Sequence, residues 1–452
     1  MLFSNRDLRK LLVPLIVEQF LAVLVGMIDV VMVAEVGEAA VSGVSLVDAI
    51  NLLLIQLLAA MATGGAVVAG QLLGCKNEER ACHAANQLLL VTTIFSSIIM
   101  TLSLLGNRAI LSVLFGKIEA DVMSNARLYF YITALSFPFL AVYNSCAALY
   151  RVMGNSNVSM KTSLVMNGLN IIGNAIGVYA LKVGVLGVAV PTLISRMVAA
   201  GIMIYIIRNE KNPVHVDRRL HLGYEPAMIH QILKIGIPSG MESGMFQLGK
   251  IMVQSLVSTL GTSAIAGFAV AGNMATIEYL PGMALGMGMV TVVSQCVGAK
   301  EFGQVKQYVK KLLLLNYGIL LCIILIINLF RIPIVGIYNL PSESATVAAG
   351  LILFHGFAML AWPPAFLIPH ALRAASDVTF TMIIAVASMW VFRIGLAYLL
   401  VKGFHTPVIG VWIAMSTDWI FRAILFVWRM LGGKWMRHGS DERPKRKKTQ
   451  EK

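Results

Sequence analysis

Long apolar runs alternate with short polar segments along the whole chain. Runs of spanning length fall near 11–34, 45–69, 84–106, 128–150, 163–184, 186–207, 235–258, 268–296, 312–330, 347–372, 380–401 and 408–430. A helix of about 20 apolar residues crosses the hydrocarbon core of a bilayer. The pattern therefore predicts an all-α polytopic membrane protein with twelve transmembrane helices. The longest hydrophilic stretch between runs, Asn209–Lys234, sits at mid-chain. It divides the sequence into an N-lobe at 1–208, a linker at 209–234, a C-lobe at 235–430 and a basic tail at 431–452.

The charges between the runs set an orientation. With the N-terminus placed in the cytoplasm, the inner segments hold 26 Lys+Arg and the outer loops hold 6. Cytoplasmic loops carry the excess of Lys and Arg, so both termini, the linker and the tail are expected on the cytoplasmic side of the cell membrane. The other four cations, Arg196, Lys250, Arg393 and Arg422, fall inside predicted spans.

The two halves repeat. Shifted by 224 residues, Pro14 meets Pro238, Glu18 meets Glu242, and Gly37, Ala40 and Gly43 meet Gly261, Ala264 and Gly267. Gly64, Gln71, Gly74 and Lys76 likewise meet Gly288, Gln295, Gly298 and Lys300. A gap-free set containing Pro, Glu, Gln and Lys exceeds what a Gly- and Ala-rich composition yields by itself. Six spans per half is an even number, so both halves enter the membrane from the same side. That is a parallel repeat, two pseudo-symmetric six-helix lobes about an axis along the membrane normal. Such a duplication places a cavity between lobes and favours a transporter over a receptor or an enzyme.

Composition agrees with the pattern. The 452 residues are 58% hydrophobic and 13% charged, about half the charge of a soluble domain. The net charge of +14 does not point to nucleic acid, because Arg429–Lys452 alone holds 9 Lys+Arg against 3 Asp+Glu. Within it, Arg443–Lys448 either touches anionic lipid or only anchors topology. Cys75, Cys82, Cys146, Cys296 and Cys322 show no paired or metal-ligand spacing. No Walker A stretch, HExxH or GxSxG is present, so neither ATP drive nor a hydrolase is supported. No cofactor is expected. Met1–Lys10 leads straight into a spanning run, with no sign of a cleaved signal.

Against this background the intramembrane acids stand out. Glu18 and Asp29 sit in the first span, where an ionisable side chain costs at least ~2.5–3.5 kcal/mol. Eleven residues apart, they share one helix face, which should look at protein or water. Span five stacks Asn170 and Asn174 four residues apart, and Thr192 follows Pro191 early in span six. If the fold gathers these helices, Asp29, Asn170, Asn174 and Thr192 form an oxygen-rich cluster. It would hold a protonatable carboxylate or a hard cation such as Na⁺ on Asp29, Asn170 and Asn174. The bland alternative is that the amides and hydroxyl only cement helix contacts.

In the second half, Glu242 and Glu278 join Glu18 as carboxylates that would face a cavity, for substrate or coupling. Lys250 is an alternative structural partner for Glu278. Arg393, Asp418 and Arg422 suggest a structural or gating network, with Asp418 and Arg422 at the i,i+4 spacing of a helical ion pair. Pro138, Pro191, Pro281, Pro363, Pro364 and Pro369 interrupt spans and are either hinges or static kinks. Among 25 methionines, those of spans seven and eight suit a soft cavity lining or ordinary lipid-facing packing.

These residues resemble the multidrug and toxic compound extrusion family of secondary transporters over nearly the whole chain. The resemblance rests on "MIDVVMVAEVGEAAVSGVS", "GQLLGCKNEERA", "ALYRVMGNSN", "GVLGVAVPT", "VSQCVGAKEFGQV" and "ALRAASDV". It implies two six-helix lobes in a V that export organic cations and other amphiphiles against H⁺ or Na⁺ entry, as a monomer in lipid. It also implies that Asp29, Asn170, Asn174 and Thr192 are the N-lobe cation or proton cluster. This chain departs from members that have an acid where Asn174 stands, or an Asp on span ten, where 347–372 offers only His355 and His370. A proton needs one carboxylate and Na⁺ several oxygens, so H⁺ is the favoured coupling ion and Na⁺ the alternative. A flippase for lipid-linked precursors, from the related superfamily, is the second functional reading.

Overall fold

The computed structural model describes residues 2–116, 118–216 and 225–440, which are helical with no strand among them. The N-terminal half contains α1 (Asn5–Ala34), α2 (Glu38–Gly74), α3 (Glu78–Phe115), α4 (Ala120–Leu135), α5 (Phe137–Val152), α6 (Ser156–Ala175) and α7 (Leu186–Ile207). The C-terminal half contains α8 (Pro226–Ser258), α9 (Thr262–Gly298), α10 (Phe302–Leu329), the short α11 (Arg331–Ile337), α12 (Ser342–Ala358), α13 (Trp362–Ala374), α14 (Val378–Ser388), α15 (Ile409–Gly432) and the terminal turn α16 (Trp435–Ser440). Nine helices of the described residues, joining α12 to α13 and α14 to the turns beyond it, are long and apolar enough to cross a membrane. The pair α4–α5, bent by 46° where Pro138 starts α5, makes a tenth. The polar-rich α6 and α8 fill the remaining two of twelve positions.

Several helices outrun their apolar stretch. α2 has 37 residues, about 55 Å at 1.5 Å per residue. α8 begins at Pro226, nine residues ahead of the apolar edge at 235, because proline is well placed in a first turn, where an N–H would go unused. The expected linker is correspondingly shorter, and its residues 217–224 lie outside the described residues. So does 441–452, with the basic run of the expected tail.

The repeat extends to backbone detail. Left-handed φ values recur in pairs, at Gly37 and Gly261, Lys76 and Lys300, Gly116 and Asn339, Gly154 and Ser376, and Lys182 and His405. At the ends of α2 and α9 the same paired bonds close the helix: Lys76 N to Leu73 O (2.9 Å) with Asn77 N to Leu72 O (3.0 Å), and Lys300 N to Val297 O (3.0 Å) with Glu301 N to Cys296 O (2.9 Å). These are Schellman ends, which satisfy otherwise orphaned carbonyls. π-turns recur too, at Ile176–Ala180 after α6 and at Met389–Leu396 and Leu399–Gly403 after α14.

The lobes join at one end and part at the other. One apolar core unites both halves, for example Leu11, Leu12 and Val67 with Val293 and Val297. The two other large cores stay within a lobe, one spanning Val33 to Ala189 and the other Val253 to Ala414. At the joined end, α2 and α9 cross about the pseudo-twofold axis. A Cβ on Gly74 would collide with the Gln295 carbonyl, and one on Gly298 with the Gln71 carbonyl. Gln71 Nε2 donates to Ala374 O at the end of α13 (2.9 Å), and Gln295 Nε2 donates to Val152 O at the end of α5 (2.6 Å). Each lobe thus caps a helix of the other. The N-terminus adds a clasp, with Phe3 N donating to Tyr308 Oη at 2.7 Å and Tyr308 donating back to Phe3 O at 2.8 Å. Beyond Glu18, α1 buries only Val33, which marks where the lobes separate.

This crossing generates a prediction. Gly298→Val cannot keep the two backbones in contact. Spin labels at positions 79 and 303, with Cys75 and Cys322 replaced by serine, should report a longer distance in the variant than in the parent. An unchanged distance distribution would contradict the close crossing.

Candidate functional site

Small residues bring the N-lobe cluster together. A Cβ on Gly173 would press on Pro191 at 2.6 Å, and Gly177 and Gly187 touch backbone to backbone. Glycines spaced in this way let membrane helices approach closely, and α6 therefore lies tight on α7. Asn170 comes within 3.0 Å of Thr192 Oγ1, and Thr192 Oγ1 donates to Val188 O at 2.9 Å. Asp29 arrives from α1, and Asn174 Nδ2 donates to its Oδ1 at 2.9 Å. The Asn170 amide suits its neighbours with its nitrogen facing Asp29, 3.1 Å from each carboxylate oxygen, and its oxygen towards Thr192. All four residues singled out from the sequence meet at one place.

A cavity of about 260 Å³ opens beside Asp29. It brings in Asp48, which the sequence reading passed over, and Arg196, which that reading noted only as a cation inside a span. Asp48 of α2 lines it, with Tyr129 Oη donating to Asp48 Oδ1 at 3.1 Å and Asn51 Nδ2 at 3.5 Å. Arg196 of α7 lines it too, and its Nη1 donates to Ser136 Oγ at 2.7 Å. Asp48 and Arg196 carried the same signal as Asp29, an ionisable group in an apolar run; Asp48 was overlooked because it sits at the margin of its run. Two carboxylates, a phenol and a guanidinium can hold and pass protons or meet a cation.

The donor set bears on the coupling ion. Both amides turn N–H groups to Asp29, as suits a carboxylate alone. Among the cluster's amide oxygens only Asn174 Oδ1 is buried without a partner. A hard cation wants several oxygens at once, so Na⁺ fits only if the amides turn. No group of three or more His, Cys, Asp or Glu among the described residues could hold a metal ion.

The glutamates are held by arginines or histidine. Glu18 is buried, with Ser159 Oγ donating to its Oε2 at 3.0 Å and Arg151 Nη1 3.9 Å from its Oε1. Its repeat partner Glu242 pairs with Arg373 at 2.9 Å. Arg151 and Arg373 occupy matching places at the ends of α5 and α13, so the repeat preserves a whole ion pair in each lobe. Neither glutamate lines the cavity beside Asp29. The alternative of a Glu278–Lys250 pair is corrected. Glu278 meets His355 Nδ1 at 2.5 Å, walled by Trp412 and Trp419. The sequence reading noted His355 only as a non-acid. Asp418 bridges two cations, Arg422 Nε at 2.7 Å and Arg393 Nε at 3.2 Å, and Ser388 Oγ also bonds it.

Comparison with known proteins fits this architecture. The family model MatE matches residues 14–176 and again 238–399, two copies whose starts lie 224 residues apart. The chain is 26% identical over 440 residues to the probable multidrug resistance protein YoeA of Bacillus subtilis, covering 94% of each. It is 26% identical over 442 residues to the probable multidrug resistance protein NorM of Thermotoga maritima, covering 95% of this chain and 93% of that one. Among solved structures, the outward-facing conformation of a multidrug resistance MATE family transporter superposes with a TM-score of 0.88 at 19% identity, over 95% of this chain and 96% of that one. With both lobes matched and the duplicated helical fold in place, the chain belongs to the MatE family, the multidrug and toxic compound extrusion transporters, and is a multidrug efflux transporter, not an enzyme.

Proposed function

We propose that this transporter is a secondary antiporter that exports amphiphilic compounds, cations among them, in exchange for H⁺, with Na⁺ as the alternative ion. It works as a monomer in the cell membrane, without a cofactor. The observation that carries this reading is Asp29, held by amide donors beside a cavity at membrane depth. The Lys and Arg asymmetry puts both termini, and hence the joined end, in the cytoplasm, so the cleft in this conformation faces outward. Protonation of Asp29 removes the charge that Asn170 and Asn174 hold, which loosens the tie between α1 and α6. A substrate cation entering the same lobe competes with that proton for the carboxylates. Exchange follows if either occupant lets the lobes part at the α2–α9 crossing and both together do not fit. The arginine pairing of Glu18 and Glu242 supports a structural role for them, fixing helix ends on which the rocking turns.

Two outcomes test this. Asp29→Asn removes a membrane acid, so insertion should be intact. Dye efflux from proteoliposomes should fall at least tenfold, the equivalent of about 1.4 kcal/mol; near-normal efflux would remove Asp29 from the mechanism. With the parent protein, a pH gradient in sodium-free buffer should drive efflux, and a sodium gradient at equal pH should not. Efflux driven by sodium alone would overturn the proton assignment and assign Asn174 Oδ1 to the ion.

A further inference from the structure

Before α1 begins, Leu2–Asn5 crosses to the other lobe and docks on α10. Leu2 N donates to Gln304 Oε1 at 2.8 Å, Phe3 exchanges two hydrogen bonds with Tyr308 at 2.7 and 2.8 Å, and Lys311 donates to Asn5. The Phe3 ring meets the Tyr308 ring edge-on at 6.1 Å, and both are buried in the core that the lobes share. This strap is also fixed to the N-lobe. A capping box ties Ser4 to the first turn of α1, with Asp7 N donating to Ser4 Oγ at 3.2 Å and Ser4 N donating to Asp7 Oδ2 at 2.9 Å. α1 is in turn tied to α6 through Glu18 and Asp29. The joined end therefore cannot part without breaking the bonds between strap and α10.

The repeat supplies a comparison. Under the 224-residue shift, Gln304 of α10 corresponds to Arg80 of α3. Arg80 pairs with Glu225, the residue just ahead of α8, at 3.4 Å, and Glu225 N donates to Gln87 Oε1 at 3.4 Å. The stretch leading into each lobe thus rests on the other lobe. The two contacts are unequal. Arg80 and Glu225 are each 37% exposed, and ion pairs open to water contribute little. Tyr308 stands where the N-lobe has Ala84, so the buried clasp belongs to the N-terminal strap.

We infer that Leu2–Asn5 is a latch, which holds the joined end shut while docked on α10 and whose release sets how often the lobes part there. This rests on the transport reading above only for the parting of the lobes, and its test reads that parting with no substrate, ion gradient or efflux. Leu12, two turns into α1, is buried against Gly288 of the other lobe. Leu12→Cys therefore reports parting, and Val257→Cys, inside the C-lobe's own core, reports loss of folding. Each is made the sole cysteine of the full chain in nanodiscs, and its rate of labelling by a charged maleimide is measured. Tyr308→Phe keeps the ring and removes both bonds to Phe3. It should speed labelling at position 12 about tenfold, as the loss of two hydrogen bonds implies, and leave position 257 at the parent rate. Arg80→Ala, at the weaker contact, should change position 12 by less than about twofold. The inference is overturned if Tyr308→Phe leaves position 12 at the parent rate, or if it speeds both positions equally, which is plain destabilisation. It is also overturned if Arg80→Ala speeds position 12 as much as Tyr308→Phe does.

Discussion

Two helices, α2 and α9, meet backbone to backbone at Gly74 and Gly298, and each lends a glutamine amide to a helix end in the other lobe. Because the contact lies on the pseudo-twofold axis, each half makes it with the same residues. A contact on the axis leaves one soft degree of freedom, rotation of one lobe against the other. Around it the lobes also pack α2 on α8 and α1 on α9, at the end where the shared apolar core sits. The rest of each lobe is packed within itself. A chain built in this way can move its lobes as bodies without breaking either core.

Inside those bodies, polar groups sit where an apolar run should forbid them. The N-lobe is acid-rich around its cavity, whereas the C-lobe sets Arg393 and Arg422 on one shared aspartate, with Lys250 and Arg393 near the Phe246 ring. Both arrangements pay desolvation, which the lobes offset by hydrogen bonds from amides, hydroxyls and helix carbonyls. Arg422, for instance, also donates to Ala385 O at 3.0 Å. The glutamates at the joined end are a different matter. Each is matched to an arginine from the same repeat unit, so they hold the lobes' shape and leave the cavity charges to others.

Periodicity and repetition carried most of the fold. Twelve apolar runs and a 224-residue shift are visible because lipid demands long apolar helices and because duplication copied residues with special roles. Gln71 and Gln295 illustrate the limit: their pairing in sequence was plain, but their grip on the opposite lobe appears only when α2 crosses α9. Asp29, Asn170, Asn174 and Thr192 were legible because each breaks an apolar face at helical spacing. Asp48 was not, because a charge near the edge of a run looks like a loop residue. The partners of the glutamates were also hidden. Ion pairs between spans depend on which helices touch, and no spacing within one helix encodes that. His355 could not be matched to Glu278 from sequence for the same reason.

The lobes can expose their cavity to the other side only if the end closed by the α2–α9 crossing comes apart. Cys75, whose Sγ lies 3.0 Å from Gly298 O, and Ala299 are repeat partners on either side of the axis. Ala299→Cys therefore places two thiols across it, in a background with Cys322 replaced by serine. Oxidation in proteoliposomes should stop dye efflux, and reduction should restore it. Efflux that continues at the parent rate with the cross-link complete would contradict the account.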